Sequence, residues 1–130
     1  MEHESRLERT RPSFDELVAL SRRVMAGFDE REQRQWGVEP SLIELVKQVG
    51  DLARHVLTAE SYYLPERASD PRYATTAAEI GDELADILYC LIRLADLYGI
   101  DLADAHVSAR RRELDYLGLA DEPDPPRTEA

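Results

Sequence analysis

Residues 79–101 read Glu-Ile-Gly-Asp-Glu-Leu-Ala-Asp-Ile-Leu-Tyr-Cys-Leu-Ile-Arg-Leu-Ala-Asp-Leu-Tyr-Gly-Ile-Asp. The pattern predicts one helix, opened by a Thr76-x-x-Glu79 capping box and closed by Gly99. At about 100° per residue, Glu79, Asp82, Glu83 and Asp86 fall on one acidic stripe. Ile80, Leu84, Ile87, Leu88, Leu91 and Leu94 fill the adjoining face, which is too apolar for a helix lying on a surface. Glu83 and Asp86 therefore border a buried face. A half-buried carboxylate pair without a counter-charge is costly, so basic side chains or a cation must neutralise it.

Upstream, Ser41-x-x-Glu44 has the form of a capping box for a helix running to about Glu60. Leu42, Leu45, Val49, Leu52, Val56 and Leu57 make its apolar face. Beside that face Glu44, Gln48, Asp51 and His55 recur at i, i+4, i+7 and i+11, a polar seam of the same geometry as the acidic stripe. Packed antiparallel, two such helices would turn their seams toward each other. Ser13-x-x-Glu16 predicts a preceding helix to about Gln33, with Phe14, Leu17, Val18, Leu20, Val24, Met25 and Phe28 at helical spacing. The break between these two helices contains Trp36.

Residues 62–73 read as a loop of about a dozen residues, a length that suits a lid or an exchanged arm. Asp101 is an N-cap for a last helix ending near Leu117 before Gly118, with Ala103, Val107, Leu114 and Leu117 as its buried stripe. No strand is predicted, and the fold class is all-α. Residues 1–12 and 119–130 are too charged and too poor in apolar residues to fold and are expected to be a disordered arm and tail around one domain, residues 13–118.

The formal net charge of −11 argues against a nucleic-acid polymer as partner. It leaves open a small phosphorylated substrate reached through a divalent cation. No apolar run approaches the ~18 residues of a membrane span, and the N-terminus lacks the basic and apolar regions of a signal peptide, so a cytoplasmic location without membrane attachment is expected. Cys90 is the single cysteine and reads as a small core residue. The one lysine, Lys47, stands against fifteen arginines, a skew that reports genome composition.

Carboxylates from two packed helices are how helical bundles hold divalent metals, and Mg²⁺ prefers oxygen donors. Asp51, Glu83 and Asp86, with the Gln48 amide oxygen, fit that preference. With no cysteine in the cluster and His55 as its one nitrogen ligand, zinc fits poorly. The competing reading is a set of carboxylates paired with Arg54, Arg93, Arg110 or Arg111.

Val49-Gly50-Asp51-Leu52-Ala53, the run Asp82-Glu83-Leu84-Ala85-Asp86-Ile87-Leu88, and Tyr98-Gly99-Ile100-Asp101-Leu102 resemble the all-α nucleoside triphosphate pyrophosphohydrolase superfamily, specifically its MazG-like members. The resemblance spans roughly residues 13–117 in helix order. It implies a four-helix bundle completed by oligomerisation, as a homodimer or homotetramer, that binds Mg²⁺ (or Mn²⁺ in its place). It also implies hydrolysis of a nucleoside triphosphate to the monophosphate and pyrophosphate. The family's Glu-x-x-Asp motif is matched by Glu83 and Asp86, whereas Gln48 and Asp51 stand where the family has Glu-x-x-Glu. The resemblance thus implies a metal set of Gln48, Asp51, Glu83 and Asp86. Asp51 is the candidate base, with Glu44 behind it; Glu44 also reads as the capping partner of Ser41. Trp36 is the candidate platform for the base, and Arg110 and Arg111 are the candidate phosphate ligands. The neutral Gln48 gives the alternative: a relative that binds nucleotide or a protein partner without hydrolysis.

Overall fold

A computed structural model of the chain describes residues 11–121 and 123. The expected arm at 1–10 and most of the expected tail, 122 and 124–130, lie outside the described residues. Among the described residues there are five α-helices, one short 3₁₀ turn and no strand. We number the helices α1 (Phe14–Glu32), α2 (Val38–Ala59), α3 (Pro65–Ala68), α4 (Ala77–Leu97) and α5 (Leu102–Leu117). None is long and apolar enough to cross a membrane.

The local signals mostly act where they are written. The Ser13–Glu16 and Thr76–Glu79 boxes are both formed, each with the hydroxyl accepting from the glutamate N–H and the glutamate accepting from the cap N–H. Asp101 caps α5, and Gly99 and Gly118 follow their helices at φ +64° and +72°, where a side chain would be strained. The exception is Ser41. α2 starts four residues earlier, with Gly37 as N-cap, and Ser41 lies inside its second turn, buried, its hydroxyl donating to the Gly37 carbonyl at 2.6 Å. Pro40 is accommodated because the first N–H groups of a helix have no intrahelical partner. Glu44 is thereby released from the capping role.

The chain divides into two compact units at Gly99–Ile100. In the first, the principal packing is α2 against α4. His55 meets Thr75 and Glu83, while Gln48 and Glu44 lie by Asp86 and Cys90, so the two helices run antiparallel. Cys90, Ile92 and Ala95 of α4 are the buried apolar side chains, joined by Ser41 and His55 of α2. α1 is tied to α4 by a bidentate pair, Arg22 Nε and Nη2 donating to Asp96 at 2.9 and 2.8 Å.

The segment read as a loop, residues 62–73, contains short helical elements. It carries α3 and the 3₁₀ turn Pro71–Tyr73, with Tyr63 and Tyr73 rings 4.7 Å apart. Arg54 of α2 donates to the Arg72 carbonyl at 2.6 Å and holds the segment down.

The predicted apolar face of α2 is corrected. Leu42, Val46, Val49 and Val56 remain exposed, at 51, 64, 48 and 43%. With Ala53 they recur at i, i+4, i+7, i+11 and i+14, the alternating spacing of a helix seam that averages about 3.5 residues. The side turned to α4 is the neighbouring one, Ser41, Leu45, Leu52 and His55. Leu84 and Leu91 of α4 are likewise exposed.

The second unit contains α5. No residue of α5 is buried, so the expected stripe of Ala103, Val107, Leu114 and Leu117 is not a core face here; Val107 and Leu117 are exposed.

Candidate nucleotide and metal site

The two polar seams do face each other across α2 and α4, but their members divide into two groups. The first centres on Glu83. Its Oε1 lies 3.7 Å from His55 Nε2, and its Oε2 is buried without a hydrogen-bond partner. His55 is itself buried and fixed from the other side by Thr75, Nδ1 to Oγ1 2.8 Å. A carboxylate oxygen sealed from water and unpaired is an expensive arrangement. No local pattern marks Thr75 as His55's partner, because the contact crosses from the 60–76 connection to α2.

The second group lines a cavity of about 270 Å³ between α1, α2 and α4. Glu44, Gln48 and Asp86 form its acidic side, and Trp36, Tyr89 and Arg93 form its aromatic side, with Phe28 and Cys90 among the other liners. Gln48 Nε2 donates to Glu44 Oε1 at 3.0 Å, and Lys47 Nζ reaches the same oxygen at 3.4 Å. The Gln48 amide nitrogen is therefore engaged, and its oxygen is left as an acceptor. Trp36 is held at its edge by Nε1 donating to Glu32 at 2.8 Å, and the Arg93 guanidinium lies over its ring at 5.0 Å. Burial pushes the Cys90 thiol up from its ordinary value, and the charges of Glu44 and Asp86 push the same way against Arg93. That thiol is an inert wall rather than a nucleophile.

Of the residues proposed to bind metal, Asp86 is exposed, and Asp51 is half-buried and makes no hydrogen bond or ion pair among the described residues. Among the described residues no three His, Cys, Asp or Glu side chains converge closely enough to hold a metal ion. The donor chemistry nevertheless suits a hard cation: all candidates are oxygens, and the orphaned Glu83 Oε2 is the atom such a cation would satisfy. Arg110 is occupied on its own helix, where Nε and Nη2 donate to Glu113 at 3.1 and 2.5 Å. Arg111 is exposed.

Comparison of the chain with protein-family models, with curated proteins and with solved structures gives no match.

Proposed function

We propose that the chain is a Mg²⁺-dependent nucleoside triphosphate pyrophosphohydrolase of the MazG-like type, cleaving a nucleoside or deoxynucleoside triphosphate to the monophosphate and pyrophosphate. The observation that carries this reading is the buried, unpartnered Glu83 Oε2 on α4, three residues before Asp86, which lines the cavity together with Trp36. Glu83, Asp86, Asp51 and the Gln48 oxygen would hold the cation, which when bound supplies the positive charge that draws phosphates to carboxylates.

The chain's own residues have separable roles. His55, buried and tied to Thr75, fixes Glu83 in place. Trp36 offers its indole to the base. Asp51, free of other partners, takes the proton from the attacking water, with Glu44 as the second candidate. Water forms its bond to the α-phosphorus as the bridging oxygen departs with pyrophosphate.

Assembly belongs to the same proposal. The Leu42–Val56 seam of α2, with Leu84 and Leu91, is covered by a second copy, giving a homodimer or a homotetramer that completes the bundle.

The test is to incubate the protein with a panel of common and modified nucleoside triphosphates with Mg²⁺ or Mn²⁺ and measure pyrophosphate. Release above a Glu83→Ala control is expected, and none for any nucleotide overturns the enzyme. A second reading, a nucleotide binder without hydrolysis, is favoured by Gln48 standing as a neutral amide bonded to Glu44. Mg²⁺-dependent thermal stabilisation by nucleotide with no pyrophosphate would establish it.

A further inference from the structure

Arg93 is the cation in the lining of the α1–α2–α4 cavity, facing Glu32, Glu44 and Asp86, yet it pairs with none of them. Among the described residues its ion pairs number none. Two of these three carboxylates are otherwise engaged, Glu32 by the Trp36 N–H and Glu44 by Gln48 and Lys47. Instead, Arg93 Nη2 donates to the neutral Tyr89 hydroxyl at 3.1 Å, and the guanidinium carbon lies 5.0 Å from the centroids of both Trp36 and Tyr89.

A guanidinium carries five N–H donors in a plane, and stacking on a ring leaves most of them unused. Its contact with an aromatic face is weaker than a bidentate pair with phosphate oxygens. Arg93 is also half-buried, so its charge is less screened than that of an arginine on the surface.

We propose that Arg93 is the phosphate-recognising residue of this cavity, and that in the free protein its guanidinium keeps the place on Trp36 that the base of a nucleotide takes. The proposal rests on the nucleotide reading above and deepens it. When a nucleotide enters, Arg93 leaves the indole for the phosphate oxygens and the base stacks on the vacated ring. The residue thus couples two parts of one ligand: a nucleoside must displace Arg93 with no phosphate in return, whereas a nucleotide supplies the new partner. This predicts discrimination for phosphorylated over unphosphorylated ligands, set on α4 itself.

Trp36 is the one tryptophan of the chain, so its fluorescence reads the event directly. The experiment titrates the full chain, with Mg²⁺ present, with deoxynucleoside triphosphates carrying an α,β-imido bridge and with the matching nucleosides. It is repeated for Arg93→Met and Arg93→Lys. For Arg93→Met, triphosphate binding is expected to weaken by about tenfold or more, the worth of a charge-assisted hydrogen bond, while nucleoside binding stays equal or tightens. Arg93→Lys, which keeps the charge but loses the plane, should fall between. Equal loss for nucleoside and triphosphate would mean that Arg93 merely braces the indole, and unchanged triphosphate affinity would mean that it does nothing for the ligand; either overturns the proposal. If Arg93→Met does not fold, Arg93→Lys decides by the same ratio. A wild-type protein that binds neither ligand overturns the nucleotide reading itself, and this inference with it.

Discussion

His55 Nε2 lies 3.7 Å from Glu83 Oε1, and that is the only ionisable contact Glu83 has among the described residues, since its second oxygen is buried with no partner. Removing His55 would strip Glu83 of its one compensating neighbour. His55→Ala should therefore lower stability by about 2 kcal/mol, measured by urea unfolding in metal-free buffer. Glu83→Gln should cost less, because an amide in that position carries no charge to strand. Glu83→Gln should also abolish any gain in Tm on adding Mg²⁺. A larger loss for Glu83→Gln than for His55→Ala would show that Glu83 is well solvated or otherwise compensated.

Gln48→Glu places a second negative charge beside Glu44, whose Oε1 now accepts from the Gln48 amide at 3.0 Å. Without divalent cation the variant should lose about 1 kcal/mol, from a lost hydrogen bond and a like-charge contact. With Mg²⁺ it should recover, giving a larger metal-induced Tm shift than the wild type. If hydrolysis is limited by the missing carboxylate, pyrophosphate release rises in the same variant.

The α1–α4 junction should be pH-sensitive through Asp96. Its hydrogen bonds from Arg22, and then the charge of that guanidinium, hold its carboxyl below the usual range. A carboxyl depressed by folding contributes stability that is present above its unfolded pKa of about 4 and is lost as pH falls through the lower folded value. The Tm difference between wild type and Asp96→Asn should therefore be constant near neutral pH and shrink as pH drops from about 4. The Arg22 side chain is 61% exposed, so the difference should be small and should also shrink in high salt.

The α2 seam gives an assembly prediction. Val46→Glu with Val49→Glu puts two charges on a face whose apolar members are all exposed in the single chain. Light scattering coupled to size exclusion should show an oligomer for the wild type and a monomer for the double variant, with unchanged helix content by circular dichroism. A wild type that is monomeric at all concentrations removes the second copy as occupant of that seam.

Much of the local structure was legible because it is written locally. The capping boxes at Ser13 and Thr76, the Asp101 cap and the two glycine stops each need only a few adjacent residues, and each forms as read. The same locality misled at Ser41. Ser-x-x-Glu has the form of a box, but Gly37 and Pro40 let the helix start a turn earlier, which moved Glu44 from a cap to the cavity.

By itself the sequence determined that the chain is helical, where most helices begin and end, and that α2 and α4 each carry a polar seam. These follow from periodicity and short-range hydrogen bonding. Only the tertiary structure decided which side of α2 faces α4, because two adjoining apolar sides compete and one angular step separates them. It also decided that His55 takes Thr75 and Glu83, that Glu83 keeps one oxygen unpaired, and that Arg93 sits between Trp36 and Tyr89 rather than with a carboxylate. Apart from Arg93 with Tyr89, one turn away on the same helix, those contacts join residues far apart in sequence, and their geometry depends on the rotation and register of packed helices, which no local pattern encodes.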